Sequence, residues 1–361
     1  MNFKKSTNRS GDIQKPQFLF PLLSKATTLN QSISKMDDVD YVEYSHYNYS
    51  SITTAEGTVS QHKESCLKEG TCMLLTVINV VIFLLGFFGN ILVIWISGFK
   101  MRKTVNTTWY LSLAMSDFLF CAFLPFNIVN IAMKEWFFGS FMCKFTSAAL
   151  SINMFSSIFL LLIISMDRCV SVMFPVWAQN HRSVQKASAV VVFAWLLAAG
   201  MSIPSLIYRQ VHTNSDGSQS CYTNYDTTST HMITVVTRFI VGFGVPFTII
   251  IICYSIIIFK LQNNRMAKSS KPFKVTTALI VAFFVCWLPY HVFVLMELNH
   301  RQYDLNVLTT GIRVVSSLAS ANSFLNPLLY IFMGKDFQKK LKSSLISKME
   351  NAMADERPTT S

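Results

Sequence analysis

Four charged residues inside or against long apolar runs stand out in this chain. Asp117 lies in "LSLAMSDFLF" (111–120), Asp167 and Arg168 follow "FSSIFLLLII" (155–164), and Arg238 stands eight residues before Pro246 in "TRFIVGFGVPF". A charge facing hydrocarbon costs roughly 3 kcal/mol or more, so such residues are functional suspects by default. The chemistry they offer is electrostatic. A carboxylate can hold a cation, and an arginine fork suits a carboxylate. An adjacent Asp–Arg pair can neutralise itself in one state and open toward a partner in another. The plainer alternative for Arg168 is a snorkelling anchor at the membrane edge. An enzyme finds no support, because the chain has no HExxH, no P-loop and no nucleophile elbow.

Composition says which elements must carry these residues. Of 361 residues, 51% are hydrophobic, only 14% are charged and 30 are phenylalanine. A soluble protein of this size needs more charged surface. The net charge of +12 is dispersed in short basic clusters between apolar runs. That pattern suits loops facing an anionic leaflet and gives no reason to expect a nucleic-acid partner.

Seven runs are long enough to cross the bilayer as helices: Met73–Gly98, Thr107–Met133, Ser140–Ser165, Val184–Tyr208, Met232–Leu261, Phe273–Leu298 and Leu305–Met333. Strand alternation is absent, and a helix satisfies every backbone group within its own segment. Pro125, Pro204, Pro246, Pro289 and Pro327 are internal to these runs and are expected to kink them. Basic residues such as Lys100, Arg102, Lys103, Arg182, Lys186, Lys260, Lys268 and Lys335 mark one set of loops as cytoplasmic. The fold class is therefore an all-α membrane protein, a seven-helix bundle over 73–333. It is preceded by a polar, disordered extracellular tail (1–72). It is followed by a short amphipathic eighth helix and cytoplasmic tail (334–361). The first span is expected to act as an uncleaved signal anchor, which makes the protein multi-pass in the plasma membrane with its N-terminus outside. Asn8, Asn30 and Asn48 then head usable glycosylation sequons, whereas Asn106, in "NTT", faces the cytoplasm and stays unmodified.

Ordered markers sit on these spans: Asn90 in "FFGNILVIW", Asp117, "DRC" (167–169), Trp195, "CWLPYH" (286–291) and "NSFLNPLLY" (322–330). In this order, each on its own helix, they make the chain resemble the rhodopsin-like G-protein-coupled receptors over roughly residues 73–347. The segments "PVWAQNHRSV", "HMITVVTRF" and "KPFKV" are similar to the chemoattractant subgroup, which holds the formyl-peptide, anaphylatoxin and chemerin receptors. The third inner loop most closely resembles that of the chemerin receptors.

The resemblance implies roles residue by residue. Asp167, Arg168, Tyr254, Trp287, Asn326, Pro327 and Tyr330 would form the coupling switch, with Asp167 neutralising Arg168 at rest. The partner would be a heterotrimeric G protein, usually of the inhibitory class, with arrestin a further partner. Asp117, Asn153, Ser157, Asn322, Ser323 and Asn326 would surround an allosteric sodium ion; a polar network that only joins helices is the alternative. No other cofactor is implied.

Cys143 opens the third span and Cys221 lies in the second outer loop, both on the oxidising side, where a bridge would be worth roughly 4 kcal/mol. Cys66 and Cys72 could pair locally or stay free. The ligand side carries Arg238, with Glu297, Arg209, Asn127 and Tyr290 available to complete a pocket. The expected ligand is an extracellular peptide or chemerin-like protein whose carboxylate meets Arg238; an Arg238–Glu297 pair is the structural alternative. The stretch "MDDVDYVEYSHYNYSS" (36–51) would steer a cationic protein toward this face, or simply solvate the tail. Rival classes fare worse. There is no internal repeat of the kind transporters show. Leu305–Met333 has no lysine for a retinal Schiff base. A formyl-peptide-type receptor and a ligand-binding decoy that does not signal stay open.

Overall fold

The computed structural model describes residues 70–263, 271–299, 302–333, 337–344 and 346. The sequons at Asn8, Asn30 and Asn48, the acidic tyrosine stretch at 36–51 and most of the third inner loop lie outside the described residues.

Among the described residues ten helices follow in order: α1 Gly70–Trp95, α2 Val105–Met133, α3 Gly139–Met173, α4 Pro175–His181, α5 Val184–Met201, α6 Ile203–Ile207, α7 Thr228–Phe239, α8 Val245–Asn263, α9 Lys271–Glu297 and α10 Leu305–Met333. π-Helical turns continue α1 through Ile96–Lys100 and join α7 to α8 through Ile240–Gly244. A two-stranded hairpin, β1 Arg209–Thr213 and β2 Gln219–Thr223, lies between α6 and α7. A further helical segment covers 337–344.

Among the described residues six helical stretches are long and apolar enough to cross a membrane: Gly70–Lys100, Val105–Met133, Gly139–Met173, Val184–Met201, Thr228–Lys260 and Lys274–Glu297. The seventh, α10, is equally long but interrupts its apolar run with Asn306, Arg313, Asn322 and Asn326. It packs against α9, α1 and α2, so most of its polar positions are sheltered. The expected seven-helix bundle is the architecture seen.

Several boundaries differ from the sequence reading. The third span continues to Met173, two turns past Ser165. At 1.5 Å per residue its 35 residues span about 50 Å, well over the roughly 30 Å hydrocarbon core. The run of apolar residues ends sooner than the helix because water also supports helical turns. The loop expected at "PVWAQNH" is the short helix α4, opened by Pro175 at a position where a missing N–H costs nothing. Pro204 does not kink a continuous fourth helix; α5 stops at Met201, and Pro204 opens α6. Helices α2, α9 and α10 do run through Pro125, Pro289 and Pro327. The hairpin is an addition to the all-α expectation.

Small residues let α1 approach its neighbours. A Cβ on Gly86 would lie 2.6 Å from Cys121 Sγ on α2, and one on Gly89 would lie 3.0 Å from the Pro327 ring on α10. Asn90, fully buried, donates across this contact to the carbonyl of Ser323 at 2.9 Å. Trp195 on α5 donates to Ser112 on α2 at 2.9 Å. The core beneath is apolar and aromatic, with Phe155, Ile158, Leu160, Ile164, Phe283 and Trp287 each at most 1% exposed. Phe337 and Leu341 of the 337–344 segment join that core. Gln338 donates to the last-turn carbonyls of α10, Ile331 at 2.7 Å and Phe332 at 3.0 Å, which satisfies part of a helix end.

Candidate functional site

The hairpin forms one mouth of the bundle. Its strands pair antiparallel, with Val211 opposite Cys221 and Arg209 opposite Thr223. Cys221 is disulfide-bonded to Cys143 in the first turns of α3, so β2 is fastened to the top of a core helix. Trp136, buried between α2 and α3, adds a backbone hydrogen bond to the carbonyl of Gln219 at 2.8 Å. Cys72 is also disulfide-bonded.

This fastening aims Arg209 inward. The sequence reading put it at the end of the fourth helix; it is the first residue of β1. Its Nη1 donates to Thr223 Oγ1 at 2.9 Å and its Nε to Cys221 Sγ at 3.3 Å. Arg238 lies one residue before the end of α7, where the π turn begins. Its Nη1 donates to the hydroxyl of Tyr290 on α9 at 3.3 Å. Arg209, Arg238, Tyr290, Tyr225 and Glu297 act on one another electrostatically and so form one cluster. Burial pulls the Arg209 guanidinium below its ordinary value, and Tyr290, Tyr225 and Glu297 oppose that pull. Burial likewise pushes the Tyr225 phenol up, with Arg238 opposing. Arg238 and Glu297 do not form a direct ion pair. The cluster therefore holds two guanidinium groups against one carboxylate, a net positive site.

Asn127, the remaining expected pocket residue, is half-buried on α2 and makes no hydrogen bond to this cluster among the described residues. Two members were not foreseen. Tyr225 stacks on His231 (4.6 Å) and meets the Tyr208 ring at a tilt (5.1 Å). His291, 2% exposed, is walled by the rings of Phe239, Phe243 and Tyr290. The signal for His291 was its place beside Tyr290 in "CWLPYH"; nothing in the local sequence distinguished Tyr225. Below them Trp287 lies edge-on to Tyr290 at 5.6 Å, its ring 1% exposed.

The centre of the bundle holds Asp117, which is fully buried. Its two oxygens accept from the side-chain amides of Asn153 at 2.8 Å and Asn326 at 2.7 Å. Ser157, Asn322 and Ser323 make no hydrogen bond to it, although each lies one helical turn from Asn153 or Asn326 and so on the same face. Their oxygens, and Asn153 Oδ1, are buried with no hydrogen-bond partner among the described residues. Buried oxygens without a donor, on the helix faces that carry the two partners of this carboxylate, fit a small hard cation of low charge. Ser116 and Ser156, bonded to each other at 2.5 Å, extend the network beyond the expected set.

At the opposite mouth the sequence expectation needs correction. Asp167 does not take Arg168 as its main partner. Both carboxylate oxygens are gripped by Arg182, fifteen residues on, with Nε at 2.8 Å and Nη2 at 2.9 Å. Arg168 Nε is 4.0 Å from Asp167 and has no hydrogen bond among the described residues. Arg168 instead donates through Nη2 to Asn106 Oδ1, which also accepts from Arg182 at 3.1 Å. The physical reason is geometric. Arg182 at the end of α4 can bring its fork flat onto the carboxylate, whereas the neighbouring residue on the same helix points elsewhere. Asn106 and Arg182 also line a cleft of about 430 Å³. Tyr254, half-buried on α8, and Tyr330, packed on Tyr110 at 4.9 Å, complete this region.

With this geometry in place, comparison with known proteins gives one answer. The model of the family described as 7 transmembrane receptor (rhodopsin family) matches residues 89–330. Chemerin-like receptor 1 of Rattus norvegicus is 43% identical over 341 residues, 87% of this chain and 91% of the relative. The Homo sapiens protein of that name is 46% identical over 305 residues, 79% and 81% of the two chains. N-formyl peptide receptor 3 of Homo sapiens is 40% identical over 296 residues, 77% and 84%.

Proposed function

Because this chain belongs to the rhodopsin family of seven-transmembrane receptors, we propose that it is a plasma-membrane receptor for a peptide or small-protein chemoattractant of the chemerin type, with its N-terminus outside. The observation that carries the ligand reading is the paired guanidinium cluster of Arg209 and Arg238 under the disulfide-fastened hairpin. A peptide whose C-terminal carboxylate descends into the bundle supplies the missing anion. Arg238 clamps it, while Arg209, Tyr290 and Glu297 set its position, and Asn127 borders the same mouth. Trp287 transmits the occupied state toward Asn326, Pro327 and Tyr330. At the far mouth Arg168 then leaves its closed setting, Tyr254 turns with it, and a heterotrimeric G protein of the inhibitory class enters. Arrestin uses the same opened mouth. Asn8, Asn30 and Asn48 carry glycans on the outer tail.

Asp117, with the oxygens of Asn153, Ser157, Asn322, Ser323 and Asn326, would hold a sodium ion. When bound, the ion supplies positive charge that stabilises the closed bundle. Asp117 itself orients the two amides that fasten α2 to α3 and α10.

The test is nucleotide exchange on an inhibitory-class heterotrimer by the full chain in lipid vesicles. The panel contains chemerin-derived peptides, N-formyl peptides and amidated controls. Exchange driven by a chemerin-type free acid supports the reading. A response to formylated peptides alone moves the chain to the formyl-peptide side, and saturable binding without exchange marks it as a decoy.

A further inference from the structure

One network at the inner mouth joins Arg168 and Arg182 to Asp167 and Asn106, and its carboxylate is already committed. We propose that Arg182 is a positioning residue that withholds Asp167 from Arg168, so that the closed setting of Arg168 is held by Asn106. The proposal rests on the reading of Arg168 as the coupling switch.

Arg182 meets Asp167 in a two-point grip, 2.8 and 2.9 Å, with one guanidinium nitrogen on each carboxylate oxygen. That is the strong form of the interaction and it saturates the carboxylate in the plane it prefers. Arg168 Nε is left at 4.0 Å, buried and without a hydrogen-bond partner. The restraint Arg168 does have is Asn106 Oδ1, a neutral oxygen that it shares with Arg182 Nη2. A guanidinium held by a shared amide oxygen is easier to release than one paired with a carboxylate. Arg182 thus tunes the switch toward opening, in two ways. It removes the competing anion, and it places a like charge beside Arg168.

The two residues therefore have opposite effects, although both belong to one network. Removing Asn106 deprives Arg168 of its holder and favours the open mouth. Removing Arg182 returns Asp167 to Arg168, whose Nε is already 4.0 Å away, and favours the closed mouth. A network that merely fastened the helices would give the same sign for both. Arg182 is the accessible member, its side chain 29% exposed against 12% for Asp167, so water can replace it without leaving a cavity.

The experiment measures agonist-free nucleotide exchange on an inhibitory-class heterotrimer by the full chain in vesicles, per receptor at equal surface density. Asn106→Ala is expected to raise it at least about tenfold, the effect of losing one hydrogen bond to a charged group. Arg182→Gln, made on the Asn106→Ala background where activity is high enough to read, is expected to lower it by about threefold. Arg182→Lys keeps the charge but loses the fork and is expected to fall between; it also substitutes if the glutamine variant does not reach the surface. Equal or higher exchange on adding Arg182→Gln overturns the proposal, as does an Asn106→Ala variant no more active than the parent. Arg168→Ala separates the two readings. If it retains full exchange, the switch reading falls; if it is silent while Arg182→Gln has no effect, only the role of Arg182 falls.

Discussion

Replacing Arg238 by alanine removes one of two guanidinium groups from the outer cluster and leaves the hairpin, the disulfide and Arg209 in place. Among the described residues Arg238 is held by a single long hydrogen bond to Tyr290 at 3.3 Å and by no direct ion pair with Glu297, so little of its bonding capacity is spent there. Truncating one partner of a buried charge-assisted pair costs about 2–5 kcal/mol. Arg209 acts on the same cluster and still faces the ligand's carboxylate, which places the loss at the low end. About 2 kcal/mol corresponds to roughly thirtyfold in affinity. The assay is displacement of a labelled chemerin-type peptide from membranes, run with the free acid and with its C-terminal amide. The free acid is expected to weaken by roughly thirtyfold and the amide by no more than about threefold, because the amide has no charge to lose. Equal losses for both forms would refute a carboxylate clamp and make Arg238 a structural partner of Tyr290 and Glu297.

Arg168→Ala is expected to abolish agonist-driven nucleotide exchange while surface expression stays near that of the parent; full exchange by this variant, measured in vesicles, removes Arg168 from the switch. Sodium is expected to weaken agonist binding to the native receptor, and Asp117→Asn to remove that dependence, since an ion that prefers the closed bundle must oppose a ligand that prefers the open one; titrating agonist affinity in sodium against a larger cation reads this directly. Gly86→Ala would put a methyl 2.6 Å from Cys121 Sγ, a side chain with no exposed surface, and is expected to cost about 1–3 kcal/mol; a detergent-solubilised variant with an unchanged Tm would mean that α1 can shift there at no cost.

The amino-acid sequence by itself determined the bundle. Apolar length is a property of each segment alone, and a bilayer allows few alternatives to a helix for such a segment. The same logic exposed Asp117, Arg168 and Arg238, because a charge in an apolar run is visible without knowing its neighbours. Placing Cys143 and Cys221 on one side made their bridge an expectation, but Cys66 and Cys72 share that side, and the bond itself is seen in the structure. The ends of elements were less legible. The third helix runs on to Met173 because its last turns need no hydrocarbon around them, and the hairpin at Arg209–Thr223 has no long apolar run to announce it.

Only the tertiary structure decided which partner each charge took. Asp167 has a guanidinium as its chain neighbour, yet the one that grips it arrives from the end of α4, fifteen residues away. Asn106 looked like an idle sequon and turned out to accept from both arginines. Asn153 and Asn326 lie 36 and 209 residues from the Asp117 they both address. Such pairings depend on distances of a few tenths of an ångström and on the orientation of side-chain planes. Those quantities are set by how helices pack against one another, and no single segment contains them.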